Sequence, residues 1–219
     1  MVALDMVKEY ALIGYLKLLP HTRKKLPDEW VLGDVGTVVL IPGLHETNFF
    51  LYSVGNFLNQ HGYRILTIPE FDSLEPVGQI YTKLEKLVQS LDASNIILVS
   101  HSKGGIVAKY FLDNSNQSHR IKYSVSLATP YLGSVFAILR FHNLHELASS
   151  SNLIKEVSQQ DAHVAKVINL YPKFDNHVIP NKNLLLKGAK NIQINVNGHT
   201  RILVCEETYT EIIKALANN

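Results

Sequence analysis

Short runs of apolar residues alternate along this chain with longer segments in which apolar residues recur at helical spacing. The runs at residues 37–41 and 95–100 are apolar at nearly every position, and a Pro-Gly pair ends the first of them. Continuous apolar runs of this length are typical of strands that are buried on both faces of a parallel sheet. On this basis we predict strands at residues 37–41, 63–68, 95–100, 121–127, 164–170 and 191–196.

Helical periodicity separates several of these predicted strands. Residues 77–91 place apolar side chains three and four positions apart, which predicts an amphipathic helix. Residues 104–112 and 206–217 are predicted helices that follow the third and the sixth strand. Such an alternation of strands and helices predicts an α/β fold, with a mainly parallel central sheet and helices on both of its faces.

The strand signal disappears between residues 132 and 162. We therefore predict a small lid-like insertion after the fourth strand, at about residues 131–162, within an α/β domain at 37–219 that follows a helical extension at 1–36. The apolar side chains of the insertion either line an acyl pocket or belong to the core, and both interpretations remain open at this point. They are Val135, Phe136, Ile138, Leu139 and Phe141.

The extension contains an apolar segment, residues 10–19, that is interrupted by Lys17 and followed by Pro20. It is shorter than the roughly 20 apolar residues that a membrane span needs, and it has neither the basic start nor the cleavage site of a signal peptide. We therefore predict a cytoplasmic protein without a clear signal peptide. Either this segment is an extra helix packed on the domain, or it lies on a membrane surface, which would make residues 1–20 a peripheral membrane contact.

Composition excludes some classes of protein and leaves others. The 219 residues are 46% hydrophobic and 18% charged, which is typical of a folded domain with a substantial core. The formal net charge is only +2, and the densest basic run, residues 23–25, is too short to indicate nucleic-acid binding. Cys205 is the single cysteine, which excludes an internal disulfide and fits a reducing compartment.

The strongest chemical signal is the sequence Ser-His-Ser-Lys-Gly-Gly at residues 100–105, between a predicted strand and a predicted helix. Gly-x-Ser-x-Gly in this context is a nucleophile elbow, a turn so tight that the residues two before and two after the serine must be small. Gly104 meets this requirement, and Ser100 stands where glycine is usual. We therefore predict that Ser102 is a nucleophile exposed above the sheet, at a helix N-terminus that favours developing negative charge.

A serine hydroxyl needs a base, and the base needs an acid to orient it. At an elbow of this type the partners follow in the order serine, acid, histidine. His199 comes directly after the last predicted strand and is our predicted base, in preference to the earlier His163 and His177. Asp175 follows the fifth strand and is our predicted acid, in preference to Asp161, which precedes that strand and so lies at its wrong end.

Backbone amides are expected to complete the site. An oxyanion needs donors already in place, and we predict the N–H groups of Leu44, which follows Gly43, and of Lys103. A simple strand-ending turn at residues 42–45 is the alternative for the first donor. The side chains predicted to contact substrate are His45, His101, Tyr131 and Val135.

With these motifs in place, the chain resembles the bacterial lipases and esterases of the α/β-hydrolase superfamily. The likeness runs over about residues 37–203 and is strongest with the small triacylglycerol lipase group and with relatives of the GPI inositol-deacylase type. It rests on the segments at 41–44, 100–105 and 127–134, whose last part reads Ala-Thr-Pro-Tyr-Leu-Gly-Ser, and on the segments around Asp175 and His199.

The resemblance implies a serine carboxylic-ester hydrolase that acts on acyl esters, with a lipid-like small molecule as its substrate. It implies the triad Ser102, Asp175 and His199, an oxyanion hole at Leu44 and Lys103, no cofactor and no metal ion. A thioesterase, amidase or acyltransferase would use the same triad, so these readings remain open. A non-catalytic binding protein with this fold would be expected to have lost a triad member, and the chain has retained all three.

Overall fold

The computed structural model describes residues 2–23, 25–135 and 144–217. Within them, six strands form one sheet in the order β2-β1-β3-β4-β5-β6, and every neighbouring pair is parallel. The strands are β1 Gly36–Ile41, β2 Tyr63–Thr67, β3 Ile96–His101, β4 Ile121–Leu127, β5 Val167–Phe174 and β6 Lys190–Asn197. All their carboxyl ends therefore lie along one edge of the sheet, where such folds assemble their sites.

Helices cover both faces of this sheet. They are α1 Val2–Thr22, α2 Tyr52–Gln60, α3 Val77–Ser90, α4 Lys103–Asn114, α5 Asn152–Gln159 and α6 Glu206–Ala217. Because side chains alternate along a strand, Val38 and Leu40 join the core under α1, α2 and α6, whereas Val39 and Ile41 join the core under α3, α4 and α5. This double covering explains why the strands are apolar at nearly every position.

The predicted α/β-hydrolase fold is confirmed, with two local differences. The fifth strand begins at Val167 and not at 164, because Val164–Lys166 forms a 3₁₀ turn. Helix α2 has no counterpart among the predicted elements, since Gly55, Asn56 and Asn59 give it low intrinsic helix propensity. Its helical structure is stabilised instead by packing of the buried side chains of Val54 and Leu58.

The N-terminal extension is mainly a helix that packs on the domain. Helix α1 buries Leu16 and Leu19 in the core and leaves Leu4, Val7 and Leu18 more than 60% exposed on its outer side. No helix among residues 2–23, 25–135 and 144–217 combines the length and the apolar character that a bilayer span requires. The division at residue 36 and the lid-like role of 131–162 stay predictions.

Candidate active site

Ser102 lies in a strained turn between β3 and α4. Its backbone has φ 51° and ψ −120°, a left-handed φ that a residue with a side chain rarely adopts. The turn is tight because α4 begins against β1, and a Cβ on Gly104 would collide with the carbonyl oxygen of Ile41. Ser100, the departure from the usual glycine, is accommodated by a hydrogen bond of 3.3 Å from its hydroxyl to the carbonyl oxygen of Val125.

The backbone of the elbow is held from both sides. The N–H of Ser102 donates to the carbonyl of Leu127 over 2.9 Å, and the carbonyl of Ser102 accepts the N–H of Gly105 over 3.0 Å. The side chain of Lys103 is buried and its Nζ donates to the carbonyls of Ser73 and Glu75, at 3.2 and 2.5 Å. Lys103 therefore offers the site only its backbone amide, in the first turn of α4.

Asp175 and His199 form a buried hydrogen-bonded pair at the carboxyl edge of the sheet. Asp175 directly follows β5, His199 follows β6 by two residues, and Oδ2 of Asp175 lies 2.7 Å from Nδ1 of His199. The other carboxylate oxygen accepts the backbone N–H groups of His177 and Val178, at 2.7 and 2.9 Å. Three hydrogen bonds therefore hold the carboxylate of Asp175 in a position from which it can orient the imidazole.

Asp175 and His199 shift each other's pKa in opposite directions, and both shifts favour the charged forms. Burial alone would raise the pKa of Asp175, but the charge and hydrogen bond of His199, together with the two amides, hold this pKa below its usual value. Burial alone would lower the pKa of His199, but the carboxylate of Asp175, with smaller contributions from Glu46 and Glu9, raises it. Desolvation and the neighbouring charge of His199 lower the pKa of His177.

A second buried pair, Glu46 and His101, links three segments of the site. Oε1 of Glu46 lies 2.6 Å from Nδ1 of His101, and Oε2 accepts the N–H of Gly43 over 2.6 Å. Nε2 of His101 lies 3.0 Å from the carbonyl oxygen of His199. The loop after β1, the elbow and the loop after β6 are therefore joined through two side chains. The N–H of Gly43 is engaged by Glu46, and Leu44 lies on the pocket wall, while its role as an oxyanion donor stays a prediction.

Ser102 and His199 line the same pocket, a cleft of about 450 Å³. This volume is within the range of small-molecule sites. The wall is mostly apolar and comes from the elbow, from the loops after β1, β4, β5 and β6, and from α1. Its apolar and aromatic members are Tyr10, Ile13, Leu44, Phe50, Pro130, Leu144, Leu147 and Val178.

Of the side chains predicted to contact substrate, His45 lies on this pocket and three others do not. His101 and Tyr131 are fully buried, His101 in its pair with Glu46 and Tyr131 in the core under α3, α4 and α5. Val135 is 46% exposed and is not part of the pocket lining. These three side chains therefore do not lie on the pocket wall, where we expected them. Phe136, Ile138, Leu139 and Phe141 lie outside the described residues.

Sequence reasoning missed several residues that shape the site. Glu46 and Glu9 are buried carboxylates, and Tyr10, Ile13 and Lys17 of α1 line the pocket. Only Glu46 has a usable local signal, because it is an acidic residue three positions after Gly43 in the loop that follows the first strand. His177, considered as a base, instead presents its ring 4.7 Å from that of His199 and lines the pocket.

Solved structures that resemble this chain share its fold at low identity. The mature form of a Bacillus licheniformis lipase is 20% identical with a TM-score of 0.67, over 84% of this chain and 94% of the lipase. An α/β-hydrolase from a sediment metagenome of the Mar Chica lagoon is 20% identical with a TM-score of 0.61, over 84% and 91%. A methylesterase of Arabidopsis is 16% identical with a TM-score of 0.58, over 84% and 100%.

Sequence comparison gives the family. No curated protein sequence matches the chain, and the likeness to the GPI inositol-deacylase type stays a prediction. A sequence profile of the lecithin:cholesterol acyltransferase family matches residues 74–201, more than half of the chain, and this range includes Ser102, Asp175 and His199. With its six-stranded parallel sheet and these structural relatives, the chain belongs to the lecithin:cholesterol acyltransferase family of lipase-like α/β-hydrolases.

Proposed function

We propose that this protein is a serine carboxylic-ester hydrolase that cleaves lipid-like acyl esters through the triad Ser102, His199 and Asp175. The observation that carries the proposal is the buried hydrogen bond between Asp175 and His199, whose imidazole shares a pocket with Ser102. Asp175 binds Nδ1, so the tautomer it favours leaves Nε2 as the acceptor for a serine proton. A hydrogen-bonded pair with a purely structural role would not need to share a pocket with a serine whose backbone is strained.

The proposed reaction proceeds in two steps. Nε2 of His199 takes the proton of Ser102 while Oγ attacks the ester carbonyl, and the amides of Leu44 and Lys103 stabilise the oxyanion. The tetrahedral intermediate expels the alcohol, which receives the proton from His199. Water, deprotonated by the same imidazole, then attacks the acyl-enzyme and releases the acid, restoring Ser102.

A substrate with an apolar acyl chain fits the pocket best. Apolar side chains dominate its wall, and desolvation of such a chain is favourable by about 25 cal/mol for each Å² removed from water. Lys17 and His45 lie on the same wall and supply polar contacts near the apolar surface. We therefore expect esters of medium or longer fatty acids to have higher kcat/KM than acetate esters.

An acyltransferase is the second candidate, and the family's own description favours it. The first half of the reaction would be the same, but an alcohol instead of water would accept the acyl group from Ser102. The two functions differ only in which nucleophile reaches the acyl-enzyme.

A panel of p-nitrophenyl esters from acetate to palmitate, assayed with and without an added long-chain alcohol, tests both candidates. For a hydrolase we expect free fatty acid as the main product, with kcat/KM rising with chain length. For an acyltransferase the added alcohol should divert most of the acyl group into a new ester. Absence of any p-nitrophenol release across the panel contradicts both, and a thioester and an amide in the same panel show whether the leaving group must be an alcohol.

We also propose that the outer side of α1 binds a lipid surface. On a helical projection Leu4, Val7 and Leu18 fall on one stripe, and each is more than 60% exposed. Tyr10, on the neighbouring side of the helix, is 59% exposed and lines the pocket. A lipid surface fits this stripe because the same helix borders the cleft, so that a bound membrane would present its esters beside Ser102.

Flotation with phosphatidylcholine vesicles tests this surface. Replacing Leu4, Val7 and Leu18 with glutamine should reduce the vesicle-bound fraction at least about 10-fold, since each apolar side chain contributes on the order of 1 kcal/mol or more when it leaves water. The matched control replaces Val31, Leu32 and Val35, which are 56–66% exposed and precede β1 at the opposite edge of the sheet. Equal flotation of the wild type, the α1 variant and the control variant contradicts the proposal.

A further inference from the structure

A buried carboxylate of α1 is bonded to the loop that carries His199. Glu9 is fully buried, and its Oε1 accepts the backbone N–H of Thr200 over 2.7 Å. Its Oε2 accepts the backbone N–H of Arg201 over 3.0 Å. Gly198 has φ 122°, and a Cβ at this position would collide with Oε2 of Glu9, so the loop backbone is in direct contact with the carboxylate.

Asp5, one helical turn earlier, strengthens the same connection. Its Oδ2 accepts Nδ2 of Asn197 over 2.9 Å, and its Oδ1 accepts a guanidinium N–H of Arg201 over 2.8 Å. The guanidinium also donates to the carbonyl oxygen of Asn197 over 3.0 Å. Helix α1 therefore binds the loop on both sides of His199, at residue 197 and at residues 200–201.

The backbone of His199 itself is fixed by other segments. Its N–H donates to Oδ1 of Asn176 over 3.0 Å, and its carbonyl accepts Nε2 of His101. The backbone N–H groups of the next two residues, Thr200 and Arg201, are not bonded to Asn176 or His101. Each of them donates to one carboxylate oxygen of Glu9. Because hydrogen bonds from N–H groups to a carboxylate are about twice as strong as neutral ones, this contact restricts the loop more than a water bridge would.

We propose that Glu9 is a positioning residue that holds the loop at 198–201 so that the imidazole of His199 faces Ser102. The inference deepens the proposed function and rests on it, because it assumes that His199 is the base. Glu9 is not part of the pocket lining described above, so its role is in the geometry of the base and not in substrate contact. Misplacement of a reacting group by about 1 Å can reduce a rate on the order of 100-fold.

The charge of Glu9 supplies a second readout. The imidazole of His199 is surrounded by three buried carboxylates, those of Asp175, Glu46 and Glu9, and each of them raises its pKa. Two further imidazoles, of His101 and His177, have ring centroids 4.8 and 4.7 Å from that of His199. Removing the charge of Glu9 should therefore lower the pKa of His199 and move the acid limb of the kcat/KM profile to lower pH.

The variants Glu9→Gln and Glu9→Ala test the proposal in the full-length protein. We expect Glu9→Gln to lower kcat about 10-fold and Glu9→Ala on the order of 100-fold, with KM changed less than about twofold because neither touches the pocket. The acid limb should move to lower pH in both. Glu9→Asp, which keeps the charge, should keep the acid limb near its wild-type position. Each kcat is calculated per active site, and the concentration of active sites is the fraction of protein whose Ser102 is labelled by a fluorophosphonate at completion.

The matched control is Glu29→Gln, at an exposed position of the 3₁₀ turn Asp28–Val31, which should leave kcat, KM and the pH profile unchanged. Wild-type kcat and an unshifted acid limb in Glu9→Gln overturn the proposal. A loss of folding in Glu9→Gln, judged by thermal melting, also overturns it, because the role would then be in overall stability. If Ser102→Ala remains active, the proposed function fails and the role of Glu9 fails with it. If Ser102→Ala is inactive while Glu9→Gln keeps the wild-type kcat and pH profile, only the role of Glu9 is contradicted.

Discussion

Ser102→Ala should reduce kcat for a p-nitrophenyl ester about 10⁵- to 10⁶-fold, with the fold intact. Without Oγ no acyl-enzyme forms, and only the oxyanion amides and substrate binding remain to accelerate attack by water. Ser102 makes its turn hydrogen bonds through backbone atoms, so alanine keeps them. Stopped assays with a fatty-acid readout, together with thermal melting of the variant, measure this effect.

Fluorophosphonate labelling provides the control for the nucleophile assignment. The wild-type protein should take up one label, at Ser102, whereas Ser102→Ala should take up none. The matched variant Ser90→Ala changes an exposed serine at the end of α3 and should label as the wild type does. Activity retained by Ser102→Ala, or a label found on another serine, would show that a different residue is the nucleophile.

Asp175→Asn should lower kcat about 10³- to 10⁴-fold while leaving KM nearly unchanged. The Oδ1 of asparagine can still accept the amides of His177 and Val178, so its Nδ2 would donate to Nδ1 of His199. The imidazole would then carry its proton on Nε2 and could not accept one from Ser102. The effect on kcat is accordingly expected to be large without a comparable change in folding or binding.

The pH profile gives Asp175→Asn its own signature. The base must be neutral, so activity of the wild type rises as the pH passes through the pKa of His199, which Asp175 raises. Loss of that carboxylate should move the remaining acid limb to lower pH. Asp161→Asn, at an exposed position before β5, is the matched control. If Asp161→Asn caused the large loss and Asp175→Asn did not, the assignment of the acid would be wrong.

Stability should also depend on the protonation of this pair. The pKa of Asp175 is lower in the folded protein than in the unfolded chain, so its contribution is present above the ordinary aspartate pKa and is lost as the pH falls through the folded value. The pKa of His199 is raised, so its contribution is present below the ordinary histidine pKa and is lost as the pH rises through the folded value. The pair therefore stabilises the fold most at pH values above the ordinary pKa of aspartate and below the ordinary pKa of histidine.

Several features of the site were predictable because they have local patterns. The elbow requires a small residue at position 104, a serine at its centre and a strand before it, and all of these are adjacent in the chain. Asp175 and His199 were assigned from their places after apolar runs. Because parallel strands end at one edge, chain order alone predicts that such residues converge. Their hydrogen bond of 2.7 Å fits that expectation, while their catalytic roles stay a proposal.

Other features were not predictable because nothing local marks them. Glu9 and Thr200 are 191 positions apart, and nothing in the sequence around Glu9, which includes a second acidic residue at Asp5, indicates a contact with so distant a loop. Tyr131 and Val135 looked like pocket residues because they are apolar and follow a strand, yet an apolar side chain suits a core or a pocket equally well. Only the packing of the surrounding elements decides between these environments.

The sequence by itself thus determined the strands, the elbow and the places of Asp175 and His199 after the last two strands, because backbone periodicity and turn chemistry are recorded within a few residues. The tertiary structure alone decided that α1 forms a wall of the pocket and that Glu9 and Glu46 are buried beside His199. It also decided that His101 is bonded to Glu46 and does not line the pocket. These contacts join segments far apart in the chain, and their free energy depends on burial that exists only after the sheet and its helices have packed.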